Sequence, residues 1–216
     1  MEHEIGSTQV QTALDVLGIV AFGASGALLA VRRGFDVVGL TVLAFVAALG
    51  GGMIRDLLLQ VEPVALTDTW YLAAVAVTAA LVFRAGPAVH RHRGALLLFD
   101  AIGLGVFCAT GTVKAIDLGV EPLGAALLGT ISGCGGGMIR DVLVRDTPVI
   151  FGRRSEHFDS QLYAVPAFAG SLALAVLADW RPAQVDTSMV AVALFVVAFR
   201  LAAVHYDWQA PHPRPL

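Results

Sequence analysis

The sequence predicts an all-α integral membrane protein of seven transmembrane helices, arranged as two inverted three-helix repeats plus a seventh helix. Three observations predict it. Of the 216 residues, 57% are hydrophobic and only 14% charged, whereas a soluble domain carries about 25% charged residues. Apolar stretches of membrane-spanning length recur seven times. One seven-residue motif occurs twice, 85 positions apart. With a mean hydropathy of +0.76, most of the surface is made for lipid rather than water, and the lipid bilayer is the expected surrounding.

A bilayer span needs roughly 20 predominantly apolar residues. Stretches that supply them run over about 13–31, 37–59, 70–86, 95–113, 122–144, 162–180 and 187–205. They fill a single transmembrane domain over 1–209 and leave little for a soluble one. Before the first span, Met1-Glu2-His3-Glu4 is acidic and lacks the positive n-region and cleavage site of a signal peptide, so that span is expected to be retained. Trp70, Tyr71, Trp180, Tyr206 and Trp208 fall at span ends, where amphipathic rings suit the membrane interface. Cys108 and Cys134 lie inside spans four and five and are expected to be free thiols. The proline-rich tail over 210–216 cannot continue a helix and is expected to be disordered.

Orientation follows from the basic residues. Arg32, Arg33, Arg84, Arg91, Arg93, Arg145, Arg153, Arg154 and Arg214 fall in alternate loops or the C-terminal tail, and Lys114 and Arg181 on the other side. Positive loops stay cytoplasmic, so a multi-pass protein of the cell (inner) membrane is expected, N-terminus outside and C-terminus cytoplasmic. The formal charge of −3 identifies no partner, and no nucleic acid is expected.

Sliding the sequence by 85 positions superimposes Gly50-Gly51-Gly52-Met53-Ile54-Arg55-Asp56 on Gly135-Gly136-Gly137-Met138-Ile139-Arg140-Asp141. The same offset matches Asp15 with Asp100, Gly18 with Gly103, Phe22 with Phe107, Gly26 with Gly111, Gly34 with Gly119 and Pro63 with Pro148. Repeat one therefore covers 13–86, repeat two 98–180, and the seventh helix, 187–205, has no counterpart. Each repeat holds three spans, an odd number, so the second enters the membrane with the opposite orientation. Inverted repeats of this kind recur in proteins that pass solutes, with the site near mid-membrane.

The glycine triplets lie just past the middle of spans two and five, where each glycine costs about 1 kcal/mol relative to alanine. A kink or unwound turn, close packing, or bare backbone facing a cavity would each account for them. The four-residue spacing of Ala44, Ala48 and Gly52, and of Ala125, Gly129, Gly133 and Gly137, places Gly52 and Gly137 on a packing stripe. Their neighbours would then be free to bend the helix.

Arg55, Asp56, Arg140 and Asp141 follow the triplets and are still succeeded by apolar residues. At about 2.5 to 3.5 kcal/mol each, four unrelieved charges would cost on the order of 10 kcal/mol, comparable with the stability of a whole domain. They are therefore expected to be paired, hydrated or snorkelling. Two readings stand: structural glue, or groups that line and gate an aqueous path. Adjacent helix residues point about 100° apart, so partners are expected on other helices, with Asp15 for Arg55 and Asp100 for Arg140 as the candidates; Asp15 could equally cap its own helix. Lys114, the only lysine, reads as an interfacial anchor. Ser25, Thr41, Thr110, Thr130 and Ser132 are intramembrane hydroxyls, able to meet an ion or to bond back to their own helix.

The doubled Gly-Gly-Gly-x-x-Arg-Asp-x-Leu motif, with spans in a three-plus-three-plus-one order, resembles the prokaryotic members of the trimeric intracellular cation channel family over about 13–205. The resemblance implies a homotrimer with one pore per subunit, passing monovalent cations, chiefly potassium, and needing no cofactor. It implies glycine kinks at Gly50, Gly51, Gly52, Gly135, Gly136 and Gly137, framing the pore in the second and fifth helices. Arg55, Asp56, Arg140 and Asp141, with Asp15, Asp100 and Ser132, are the expected pathway or gating residues. The Lys-Glu-Val signature of the animal members is absent, so their lipid and calcium regulation is not implied.

The rival reading is a secondary transporter for a small solute such as glycine, since inverted repeats with broken helices suit a carrier equally well. An enzyme is not expected. No His-Glu-x-x-His, Gly-x-Ser-x-Gly or Cys-His constellation occurs, and no catalytic or metal site is predicted.

Overall fold

The computed structural model describes residues 9–89, 93–151 and 162–208; the expected disorder of the 210–216 tail lies outside them. Eight α-helices and two short 3₁₀ turns account for the regular structure, and no strand occurs among the described residues. They are α1 (Gln9–Arg32), α2 (Val37–Leu58), α3 (Val64–Thr67), α4 (Thr69–Val89), α5 (Arg93–Asp117), α6 (Pro122–Leu143), α7 (Ala164–Trp180) and α8 (Val185–His205). Among the described residues, five segments are long and apolar enough to cross a membrane: α1, α2, α5, α6 and the stretch Pro182–His205. The other two apolar helices, Thr69–Ala85 within α4 and all of α7, are shorter. The extra helix α3 is one turn between α2 and α4, and its place in repeat two is taken by the 3₁₀ turn Val149–Phe151.

The repeat is visible in the turns. The α1–α2 and α5–α6 connections pass through Gly34 (φ 70°) and Gly119 (φ 78°), repeat equivalents in the left-handed region that glycine adopts without strain. Past α2 and α6 the chain again turns left-handed, at Gln60 (φ 56°) and Arg145 (φ 61°). α2 starts at Asp36, whose carboxylate accepts the Gly39 N–H at 2.8 Å, an N-cap. α6 instead starts with Pro122 in its first turn.

Repeat one packs α1 against α2 and α4, and repeat two packs α5 against α6 and α7. The halves join through α1 on α5 and α2 on α6, while α8 leans on α5 and α7. The contacts between halves are reciprocal. The rings of Phe22 and Phe107 stack with centroids 5.7 Å apart; Gly18 lies under the Phe107 ring and Gly103 under the Phe22 ring. Where α2 meets α6, Gly51 abuts the Ser132 carbonyl and Gly136 abuts the Ala47 carbonyl. Gly50 meets Ile139, and Gly135 meets Ile54. Numbers rise along one helix as they fall along the other, so α2 and α6 run antiparallel across a pseudo-two-fold axis, and the repeats are inverted as expected.

The glycine triplets do not interrupt the helices: hydrogen-bonded α-helix is continuous through Gly50–Gly52 and Gly135–Gly137. The unwound-turn reading therefore does not hold. The packing face also differs from the expected one. The stripe of Ala44, Gly129 and Gly133 does pack within each repeat, but closest approach between the repeats is made by Gly51 and Gly136. A Cβ on Gly52 would have no neighbour nearer than 3.8 Å, and at Gly137 the space is filled by Tyr163 and Asp100. With no side chain on Gly51 and Gly136 the two backbones touch directly, the small-residue solution for helices that lack a hydrophobic drive to associate in lipid.

Candidate functional site

Two charged centres flank the glycine crossing, one in each half. In the first, Arg55 on α2 donates from Nε to Asp56 Oδ1 at 2.9 Å, and its Nη2 lies 2.8 Å from the same oxygen. Arg55 Nη1 also reaches the Ser132 hydroxyl on α6 at 3.3 Å. Asp56 Oδ1 further accepts from Lys114 Nζ on α5 at 2.8 Å, and Oδ2 from the Val64 N–H at 3.2 Å. Arg55 and Asp56 are buried, yet this centre forms part of the wall of an open cavity of about 480 Å³. The carboxylates of Asp15, Asp56, Glu62, Asp68 and Asp117 line that cavity, with Arg55 and Lys114 as its cations.

The second centre is closed. Arg140 on α6 donates from Nε to Asp141 Oδ1 at 2.9 Å, from Nη2 to the same atom at 2.8 Å, and from Nη1 to Asp100 Oδ1 on α5 at 2.8 Å. Arg140 Nη1 also donates to the Ser25 hydroxyl on α1. Asp141 Oδ2 accepts the Val149 N–H at 3.3 Å, the counterpart of the Val64 bond. Asp100 is 0% exposed and Arg140 1%. Buried Tyr163 closes over Gly137, and the guanidinium of buried Arg200 on α8 lies 5.2 Å from the Tyr163 ring centroid, a cation–π arrangement.

The expected sites are thus all placed, and one of the two expected pairs forms. Arg140 does meet Asp100. Arg55 and Asp15 share the cavity but form no ion pair. Each arginine also grips the aspartate next to it, because the 100° between adjacent residues applies at Cβ. A long guanidinium side chain can curl back around the helix and close that angle. Lys114, expected as an interfacial anchor, is the second cation on Asp56.

Sequence reasoning passed over Arg200 and Tyr163. Arg200 carried a signal, being the single basic residue within the apolar stretch 187–204. Tyr163 carried none, since it immediately precedes a helix and resembles any interfacial aromatic.

The two centres differ in where their second cation comes from. Lys114 has Leu29 as its repeat counterpart. In the second half the additional cation, Arg200, comes from the helix that has no counterpart. Each centre thereby has two aspartates (Asp15 and Asp56, Asp100 and Asp141) and two cations (Arg55 and Lys114, Arg140 and Arg200) at or beside it. Since unpaired charge is the costly arrangement in low dielectric, balance is kept while residue-by-residue symmetry is not.

Fold and site together define a class: a helical membrane protein built on inverted repeats that hold paired charges beside a crossing of glycines. A family model described as glycine transporter matches the chain twice, over residues 12–86 and 97–179, almost the two repeats found by sliding the sequence. The chain belongs to that family, which is the trimeric intracellular cation channel (TRIC) family.

Among its relatives, a UPF0126 membrane protein of Deinococcus radiodurans is 42% identical over 185 residues, covering 85% of this chain and 84% of that protein. The UPF0126 inner membrane protein YadS of Escherichia coli K12 is 34% identical, covering 92% of this chain and 93% of its own. The fold matches a TRIC trimeric intracellular cation channel orthologue from Rhodobacter sphaeroides with TM-score 0.84 and 30% identity, over 93% of this chain and 100% of that one. It matches another TRIC cation channel with TM-score 0.83 and 31% identity, over 95% of this chain and 98% of that one. The solved structures it resembles are channels, not enzymes.

Proposed function

We propose that this membrane protein is a monovalent cation channel passing chiefly potassium, one pathway in each subunit of a homotrimer. In this reading all seven long helices cross the inner membrane, the N-terminus is outside, and the 480 Å³ cavity is the outer mouth. Asp15, Asp56 and Lys114 flank that mouth; Arg55 and Ser132 lie at the crossing; Asp100, Arg140 and Asp141 hold the inner end closed. The Gly51–Gly136 contact is where α2 and α6 can pivot. The observation that carries the reading is the cavity wall, with five carboxylates against two cations. Such a wall concentrates cations and repels anions. The likeness to cation channels over nearly the whole chain supports it.

Potassium flux into liposomes holding the purified protein, under a potassium gradient with voltage clamped by ionophore, tests the reading. Rapid flux that a glycine gradient does not alter is expected. Slow, saturable glycine movement without ion leak would instead make the protein a carrier on the same repeats.

A further inference from the structure

We propose that the Lys114 ammonium is a built-in competitor for the permeating cation, a tethered monovalent cation resting on the carboxylate site of the outer mouth. This rests on the channel reading for its physiological meaning, but the occupancy it describes can be measured without flux.

Four observations lead there. Lys114 Nζ lies 2.8 Å from Asp56 Oδ1 although Arg55 already places two nitrogens on the same oxygen, at 2.9 and 2.8 Å. Asp56 is therefore neutralised before Lys114 arrives. The lysine side chain is 21% exposed while Asp56 is 2% exposed, so the ammonium enters from the cavity and the carboxylate stays fixed in the wall. The other centre holds its aspartate without a cation from this position: the repeat counterpart of Lys114 is Leu29, and Asp141 is held by Arg140 and the Val149 N–H. Lastly, Asp15 lines the same cavity without an ion pair to Arg55.

An ammonium is a compact, strongly hydrated point charge on a flexible four-carbon stem. It can leave the carboxylate for the cavity without disturbing a helix, and a hydrated potassium ion can then take its place. Arg200, the extra cation of the other half, cannot do this, being 0% exposed beneath Tyr163. The two second cations thus have different tasks. Arg200 completes a sealed centre; Lys114 keeps the outer site filled when potassium is scarce and yields it when potassium is abundant.

Lys114→Met keeps the unbranched stem, one atom shorter, and removes its charge. In planar bilayers at about 0.01 M KCl, where a charge is felt over about 30 Å, conductance should rise about two- to threefold over wild type. At about 1 M, where the range is about 3 Å, the two should converge. Lys114→Arg, which keeps the charge, should stay below Lys114→Met at low salt. Equal low-salt conductance for Met and wild type, or a drop at all salts, would overturn the proposal.

A second readout needs no current: thermal melting in detergent with KCl exchanged for N-methyl-D-glucamine chloride at fixed ionic strength. Lys114→Met should gain more stability from potassium than wild type does, and an equal gain would count against a tethered competitor. A protein that carries no potassium current, but whose Met variant shows this gain, would overturn the channel reading and leave the Lys114 proposal standing.

Discussion

Gly51→Ala is expected to destabilise the protein by about 3 kcal/mol or more, the upper end of what overpacking costs. Its new methyl would collide with the Ser132 carbonyl and come within 3.0 Å of the Gly136 nitrogen. Both are backbone atoms of a continuous helix, so no side chain can swing aside to make room. Gly136→Ala should behave alike, its methyl meeting the Ala47 carbonyl across the pseudo-two-fold axis. Leucine at either position should abolish folded protein.

The neighbouring glycine gives the opposite sign. Gly52→Ala places its methyl 3.8 Å from the nearest atom, the Arg55 guanidinium, and relieves the roughly 1 kcal/mol that a glycine costs inside a helix. Thermal melts in detergent, followed by size-exclusion profiles, compare the three variants directly. If Gly51→Ala and Gly52→Ala shift the midpoint equally, the crossing is not where the backbones touch.

Arg140→Ala has the next largest expected effect, a loss of about 3–5 kcal/mol, because it strands a buried charge. Asp100 and Asp141, 0% and 3% exposed, would face each other with their shared guanidinium gone. Adding Asp100→Asn should recover part of the loss by removing one stranded carboxylate, and a double-mutant cycle reads that coupling. Arg55→Ala should cost about 1–3 kcal/mol, since Asp56 keeps Lys114 and the Val64 N–H beside a cavity. The order matters as much as the sizes. Equal losses for the two arginines would mean that the second centre is as wet as the first, contrary to its burial.

Much of this architecture was legible in the sequence. The 85-residue offset reported two homologous halves, and the odd number of spans in each required their inversion, which the antiparallel meeting of Gly51 with Gly136 bears out. The Arg140–Asp100 pair was legible as well, because matched aspartates and arginines at corresponding ends of neighbouring spans have few other partners.

What could not be read lies below the resolution of helix periodicity. A period of 3.6 residues tells which face a Cβ takes, but not how a guanidinium folds back, so the Arg55–Asp56 and Arg140–Asp141 pairs were discounted. It also cannot rank three successive glycines. Each triplet presents three faces about 100° apart, and only the partner helix decides that Gly51, rather than Gly52, makes the contact. The broken symmetry was harder still. Lys114 and Arg200 stand outside the repeat pattern, and a comparison of halves discards what does not match. The residues that distinguish the open centre from the closed one were therefore those the repeat hid.

The central claim is that the carboxylate-lined cavity opens a cation pathway through the chain. It is tested most directly by the reversal potential of the purified protein in a planar bilayer separating a tenfold gradient of KCl. The current is expected to reverse near the potassium equilibrium potential, about 59 mV from zero, on the side that marks cations as the carriers. A reversal at zero, or one displaced toward chloride, would contradict it.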